Sequence, residues 1–470
     1  MISFPLTIGG RSQDTEGGFE VINPATGRPL GQSPRATPAM VDEAVQNARG
    51  ASAHWSRTPD ADRVHSLNAI ADLLERHAAE LSKLVTLEQG KPQSGPGANF
   101  ELGGCVAWTR ATASLNLPEE TIQDDESGRI VVRRKPVGVV GSITPWNWPL
   151  LIATWHIMPA LRVGATVVIK PSPYTSLSTL RYVQLIAEAL PPGVVNIVTG
   201  DAAVGTQMVM NPGIDKIVFT GAVRAGQSIM RGAADSLKRL TLELGGNDAG
   251  IVLPDTDIAP LVGKLFWGCF INSGQTCAAL KRLYVHEGQY DRVVDAFSAF
   301  AAKVPVGDGM DRTTLLGPLT NRSQLDTVRR YVAEAVKKGA RVSGSPPTIA
   351  GPGFFHPPTI VANATDDMLL VKEEQFGTAI PVLKYRTVDE AIARANSLEV
   401  GLGGSVWGND IEEASAFASQ LVCGTAWVNQ HGVLHPMAPF GGVRQSGIGT
   451  EFGVDGLKEY TTIQVVNVAR

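Results

Sequence analysis

Between residues 39 and 87 apolar positions recur at helical spacing among charged ones, as in Val41, Ala44 and Val45 and again in Leu67, Ile70, Ala71 and Leu74. A period near 3.6 puts such side chains on one face, so the spacing predicts a helical N-terminal segment. The polar run 123–128 reads as a turn, and Arg129-Ile130-Val131-Val132-Arg133-Arg134 alternates enough for a half-exposed strand. Beyond it the pattern changes to short apolar runs separated by helical stretches. Residues 138–143, 165–169, 194–198, 214–219 and 239–242 predict strands, and helices are expected to start near Pro149, Thr175, Ala202 and Arg224. Pro149 suits a first helical turn, where its missing N–H costs no hydrogen bond. Strands alternating with helices imply a parallel sheet with right-handed crossovers, hence an α/β, doubly wound lobe of the nucleotide-binding kind. A second mixed α/β region is expected over 246–446. The strand-like tail 461–468 has no obvious neighbour, and it pairs either with 130–133 or with another subunit.

At 470 residues the chain exceeds one ordinary core and implies two or three lobes. Its 41 Lys and Arg against 45 Asp and Glu leave a net charge of −4. No basic face for nucleic acid or an anionic membrane is implied, and a small molecule is the expected partner. No apolar run is long enough to span a bilayer, and Met1-Ile2-Ser3-Phe4-Pro5 lacks the basic and apolar regions of a secretory signal. Cys105, Cys269, Cys277 and Cys423 show neither disulfide-framework nor metal-ligand spacing, so a reduced, cytoplasmic chain without metal is expected. By default each is a small buried apolar residue. Only Cys277 has surroundings that point elsewhere.

In Phe270-Ile271-Asn272-Ser273-Gly274-Gln275-Thr276-Cys277-Ala278 the cysteine follows a Gly-Gln turn among small residues. Such a turn presents a thiol at the mouth of a cleft, with backbone N–H dipoles that lower its pKa and stabilise an oxyanion formed on attack. In Leu240-Thr241-Leu242-Glu243-Leu244-Gly245-Gly246-Asn247 a carboxylate sits in an apolar strand end. Burial raises its pKa and suits it to act as a general base toward water; the alternative is local capping or pairing. In Thr144-Pro145-Trp146-Asn147-Trp148-Pro149 the Asn147 amide either donates to an oxyanion or serves as an ordinary helix N-cap.

Together these segments, of the forms P-W-N-x-P, L-E-L-G-G and G-Q-x-C in this order, resemble the aldehyde dehydrogenase superfamily. The separation of Glu243 and Cys277, 277 − 243 = 34 residues, is also typical of that family. Lys170-Pro171-Ser172, Phe219-Thr220-Gly221, Glu373-Glu374-Gln375-Phe376-Gly377, Asn429, and Pro439-Phe440-Gly441-Gly442 with Ser446-Gly447 extend the resemblance over nearly the whole chain. It implies a variant Rossmann cofactor-binding domain from 1–113 and 137–245 and an α/β catalytic domain over 246–445. Residues 114–136 and 446–470 would form a β oligomerisation arm and C-terminal tail, joining homodimers or homotetramers.

The implied reaction is NAD(P)-dependent oxidation of an aldehyde to the acid. Cys277 would attack the aldehyde, the Asn147 side chain and the Cys277 N–H would hold the oxyanion, and water activated by Glu243 would hydrolyse the thioester left after hydride transfer. Members that acylate coenzyme A generally lack a carboxylate at the Glu243 position, which argues against that alternative. Cofactor positions of the family are matched by Thr144, Trp146, Lys170, Ser172, Phe219, Thr220, Gly221, Gly226, Leu244, Glu374 and Phe376. Lys170 would meet the adenosine ribose, the turn after Phe219 the pyrophosphate, and Glu374 with Phe376 the nicotinamide end. Two departures stand out. Ala222 occupies a position where serine is usual, and Pro173 one where NAD-preferring relatives often carry a glutamate that binds the ribose hydroxyls. Losing that carboxylate removes a repulsion toward a ribose phosphate, which Arg224 either reaches or ignores as a solvated side chain. NAD is slightly favoured and NADP stays open.

By the same resemblance Trp148, Ile152, Trp155, Ile271, Thr276, Leu434 and Phe440 line the aldehyde tunnel. That lining is apolar and aromatic and these segments hold no arginine, so a neutral aliphatic or aromatic aldehyde is expected rather than an acidic semialdehyde. His431 and His435, in a loop near the entrance, are read as exposed side chains without a role, the alternative being contact with a polar substrate group. Outside the family, a thiol hydrolase would leave Lys170, the Gly221 turn and Glu374 without a purpose, and an idle scaffold would not need Cys277, Glu243 and Asn147 together.

Overall fold

The computed structural model describes residues 1–344 and 351–470; residues 345–350, inside the expected catalytic domain, lie outside the described residues. The helical spacing of 39–87 resolves into three helices, Pro38–Trp55, Asp60–Arg76 and Ala78–Gln89. Thr37 caps the first through the Met40 amide, and Val41, Ala44, Val45 and Ala48 form its buried stripe. A further helix, Ala98–Ser114, which periodicity did not single out, packs against Asp60–Arg76 and Pro149–Val163.

Val139–Ile143, Thr166–Lys170, Val195–Ile197, Lys216–Gly221 and Arg239–Leu244 are the five expected strands. They are mutually parallel. In space the order is Arg239–Leu244, Lys216–Gly221, Val139–Ile143, Thr166–Lys170, Val195–Ile197. The chain thus enters at the middle, builds outward on one side, then crosses back and builds the other. This reversal opens a crevice beyond the carboxyl ends of Val139–Ile143 and Lys216–Gly221, where doubly wound sheets bind ligands. Helices cover both faces, which is why Val167, Val168 and Ile169 are all buried and the strand reads as a continuous apolar run. Both edges are closed by short antiparallel pieces, Leu6–Ile8 with Arg11–Gln13 on one side and Gly447–Ile448 on the other.

The second sheet has seven strands in the order Arg341–Ser343, Thr359–Ala364, Ala379–Tyr385, Leu280–His286, Asp248–Val252, Gly403–Trp407, Thr425–Val428. Only its first edge is antiparallel. Separate apolar clusters lie about it. A third, antiparallel sheet joins Glu120–Asp125, Gly128–Pro136 and Thr461–Ala469. Gln464 faces Arg133 and Asn467 faces Ile130, so the tail takes the intrachain partner of the two open to it. Its outer edge leaves Ile463, Val465 and Val468 exposed. Among the described residues, no helix is long and apolar enough to cross a membrane.

Candidate active site

Asn147 lies on the turn between Val139–Ile143 and the helix Pro149–Val163, at the sheet's crevice. The N-cap position belongs to Trp148, whose side chain makes no capping bond; the Leu150 and Leu151 amides instead donate to Glu101 Oε1, at 2.8 and 3.1 Å. Asn147 is therefore no helix cap. Its backbone carbonyl accepts from Lys91 Nζ (2.8 Å) and Asn272 Nδ2 (2.7 Å). Its side-chain amide has no hydrogen-bond partner among the described residues, although the residue is only 2 % exposed.

Cys277 follows a short 3-10 turn, Ile271–Gly274, in which Asn272 and Ser273 both hold positive φ (51° and 55°). Such backbone is costly outside glycine, and tertiary bonds hold it here. Ser273 Oγ donates to the Gly317 carbonyl (2.8 Å) and Lys281 Nζ to that of Gly274 (2.7 Å). The half-buried thiol does not behave as the turn alone implied. Burial, then the Glu243, Glu374 and Asp248 carboxylates, push it up to about 12, against which the Ala278 amide has little weight. The expectation of a depressed pKa is corrected: the turn's dipoles are local, while three carboxylates arrive from elsewhere in the chain.

Glu243 sits near the end of Arg239–Leu244, with both carboxylate oxygens buried and unpartnered. It neither caps nor pairs locally. Burial, reinforced by Glu451, holds its pKa well above the ordinary 4.5. Glu451 is equally unpartnered and is pushed by burial up to about 8. Beyond it, His156 Nε2 lies 3.9 Å from Glu451 Oε1 and 3.0 Å from Thr220 Oγ1. Lys216 Nζ lies 3.6 Å from the partly exposed Glu459. Titratable groups therefore lead from Glu243 toward the surface.

The crevice offers what a dinucleotide requires. The helix Val223–Ala233 starts directly after Lys216–Gly221, and its N-cap Ala222 makes no side-chain bond; the Ala225 and Gly226 amides donate to the Ala222 carbonyl, which leaves those of Val223 and Arg224 for a pyrophosphate. Gly226 permits the helix to pack tightly, since a Cβ there would come within 2.5 Å of Leu244. Likewise a Cβ on Gly221 would meet the Phe219 ring at 2.4 Å. The Thr220 hydroxyl, however, is engaged by His156. Thr144 Oγ1 and Glu374 Oε1 are buried without partners. Trp146 stands edge-on to Phe376 at 5.3 Å, joining the Asn147 turn to the Glu374 segment. Lys170 donates to the Pro171 and Gly200 carbonyls (2.8 and 3.2 Å), and burial brings its pKa down to about 8. Ser172 Oγ accepts from the Tyr174 amide at the turn that begins with Pro173. Arg224 is exposed and forms no ion pair among the described residues. These orphaned polar atoms and free amides fit a nicotinamide dinucleotide.

From Cys277 a cavity of about 870 Å³ runs to the surface. Trp148, Ile152, Trp155, Ile271, Thr276 and Leu434 line it as expected. Phe440 does not: it stacks on Phe452 at 5.8 Å, and Phe452 in turn backs Trp155 at 4.7 Å. The wall that motif reading missed comes from Ala98–Ser114, through Phe100, Gly103, Gly104, Ala107 and Trp108. Their i, i+3/i+4, i+7/i+8 spacing was a usable signal. Val262–Phe270 adds a second missed wall with Gly263, Lys264 and Trp267. His431 corrects another expectation: it lines the cavity but is buried, its Nδ1 2.9 Å from Ser405 Oγ and its Nε2 3.4 Å from Asp248. His435 is exposed as expected.

Comparison with known proteins bears on this arrangement. The model of the Aldehyde dehydrogenase family matches residues 11–466. Retinal dehydrogenase 2 of Gallus gallus is 39% identical over 473 residues, covering 98% of this chain and 91% of the relative. Retinaldehyde dehydrogenase 3 of Homo sapiens is 38% identical over 458 residues, covering 96% and 89%. The NAD+ complex of an aldehyde dehydrogenase from Bacillus cereus aligns with a TM-score of 0.96 at 37% identity, over 100% of this chain and 97% of that one. Agreement of this extent in sequence and in fold leaves one assignment: the chain belongs to the aldehyde dehydrogenase family of oxidoreductases.

Proposed function

We propose that the chain oxidises neutral, apolar aldehydes, aliphatic or aromatic, to carboxylic acids through a thioester on Cys277. The observation that carries this reading is the half-buried thiol of Cys277 on the lining of the apolar cavity, within electrostatic reach of Glu243 and Glu374. Aldehydes enter between Trp148, Trp155 and Leu434, with Gly103 leaving width for a bulky body: a Cβ there would meet nothing within 4 Å. A raised thiol needs a strong base, and Glu243, itself raised by burial, is matched to take its proton. Sulfur then adds to the carbonyl carbon, and the oxyanion is held by the free Asn147 amide and the Cys277 N–H. NAD or NADP, when bound between Lys170 and Glu374, supplies the hydride acceptor. Water deprotonated by Glu243 cleaves the resulting thioester, and the proton can leave by way of Glu451.

NAD is the favoured cofactor in this reading, with NADP also accepted, because Pro173 presents no carboxylate and Arg224 is free to meet a ribose phosphate. The division into 1–113 with 137–245, 246–445, and 114–136 with 446–470 is supported by the three separate sheets described above, except that Gly447–Ile448 joins the first of them rather than the arm. The exposed apolar edge of Thr461–Ala469 supports a homodimer or homotetramer, and four unpaired thiols support a reducing, cytoplasmic setting. The test is absorbance of reduced cofactor with aldehydes of rising chain length, NAD and NADP in parallel, and Cys277→Ser as the blank. Reduction that needs Cys277 is expected; folded wild type that reduces neither cofactor with any aldehyde refutes the proposal.

A further inference from the structure

Lys91 is 1 % exposed and Glu101 is fully buried, yet neither belongs to the groups assigned above. Each of the three ammonium N–H groups of Lys91 has a target. Nζ lies 2.6 Å from Glu101 Oε2, 2.8 Å from the Asn147 carbonyl and 3.5 Å from the Trp148 ring centre. The other Glu101 oxygen takes the Leu150 and Leu151 amides. One buried ion pair therefore holds both flanks of Asn147, the carbonyl through the cation and the following helix start through the anion. Asn272, from the strained turn that leads to Cys277, donates to the same carbonyl at 2.7 Å. Trp148 Nε1 then donates to Thr276 Oγ1 at 3.0 Å, one residue before the thiol.

We propose that Lys91, neutralised by Glu101, is a positioning residue that fixes the Asn147 amide where the oxyanion of the attacked aldehyde develops; this rests on the oxyanion reading of Asn147. Stability alone does not account for the pair. Burying two charges costs about what their attraction returns, and a well-packed apolar pair of the same volume often serves the fold as well or better. What charge adds is short, stiff, directional bonding to one carbonyl. With that carbonyl and the amides of residues 150 and 151 held, Asn147 keeps only its side-chain torsions, and its donor meets the oxyanion without reorganisation. Lost restraint of about 1 Å at such a group can cost on the order of a hundredfold in rate.

The test is a double-mutant cycle between Lys91→Met/Glu101→Gln and Asn147→Ala in the full-length protein. Changing both charges together leaves no unpaired buried ion to unfold the chain. Two quantities are read. One is the single-turnover rate of cofactor reduction by an apolar aldehyde. The other is protection of Cys277 from iodoacetamide by the same aldehyde without cofactor, which reports thiohemiacetal formation alone. We expect the neutral pair to lower the reduction rate about 10- to 100-fold and to weaken protection in parallel, with KM for the dinucleotide unchanged. In the Asn147→Ala background the same change should cost less than about twofold. Equal losses in both backgrounds, or no loss from the neutral pair, overturn the proposal. Should the neutral pair fold poorly, Lys91→Arg keeps the charge and runs the same cycle. Wild type that is protected by aldehyde but reduces no cofactor would defeat the oxidation reading while leaving the protection cycle decisive for Lys91.

Discussion

Raising the pH of the cofactor-free protein in the presence of iodoacetamide titrates Cys277 directly. Its thiol is held at about 12 against an ordinary 9.0, by burial and then by Glu243, Glu374 and Asp248. A gap of 12 − 9 = 3 units lowers the thiolate fraction at pH 8 about a thousandfold. A more basic thiolate is also a better nucleophile, and a Brønsted slope of about 0.4–0.5 returns roughly 15- to 30-fold of this. Alkylation should then run about 30- to 60-fold slower than that of a free reference thiol such as N-acetylcysteine. The site is half-buried, so solvent screening trims the figure, and about tenfold is the floor. Mass spectrometry of the peptide carrying Cys277, sampled from pH 7 to 10, measures the rate. It should climb about tenfold per pH unit without levelling. Glu243→Gln removes the foremost carboxylate acting on the thiol and should move the profile to lower pH. A plateau below pH 9, or parity with the free thiol at pH 8, would mean that the turn's N–H dipoles outweigh the carboxylates and would refute the electrostatic account.

In stopped-flow assays Glu243→Gln should slow the burst of reduced cofactor and lower steady-state turnover at least about a hundredfold; a burst at the wild-type rate would take the deprotonation of Cys277 away from Glu243. Gly103→Leu places a side chain in the open space beside the cavity wall, so kcat/KM for bulky aldehydes should fall at least about tenfold while a two-carbon aldehyde is unaffected. Equal losses for both would place Gly103 outside the substrate path. Glu451 stands at about 8 in the fold against 4.5 ordinarily, so between those values the folded chain keeps a proton that the unfolded chain has released. The stabilisation is full below about 4.5 and is lost as pH rises through 8. Glu451→Gln, always neutral, should therefore match wild type near pH 5 and exceed it above pH 8, by at most about 5 kcal/mol. Urea unfolding at both pH values measures this, and divergence at the acidic end instead would contradict it.

The parallel strands were legible because burial on both faces forces unbroken Val and Ile runs, as in Thr166–Lys170. Leu6–Ile8 and Gly447–Ile448 were not, since two or three residues carry no period and their pairing depends on a sheet built from distant chain. Local motifs located Asn147, Glu243 and Cys277, but their electrostatics could not be read that way. The Cys277 shift comes first from burial and then from Glu243, Glu374 and Asp248, surroundings that exist only after folding. Phe440 lies near the tunnel in sequence pattern yet packs behind it, because Phe452 takes the place beside Trp155. His431 sits in a loop, which suggests exposure, but Ser405 and Trp427 enclose it. Lys91 and Glu101 straddle a Pro- and Gly-rich stretch with nothing local to mark them as partners.

The short strand Gly447–Ile448 has a bearing on how the protein is made. It pairs with Leu242 and Glu243 themselves, and the Leu244 amide donates to the Ser446 carbonyl at 2.9 Å. The strand carrying the base thus leaves the ribosome 447 − 243 = 204 residues ahead of its neighbour. At about 5–20 residues per second this is a wait of roughly 10–40 s with an open sheet edge, a template for wrong pairing that chaperones are suited to cover. Until residues 446–451 arrive, Glu243 also lacks the strand partner Gly447 and the neighbouring Glu451 carboxyl that complete its surroundings.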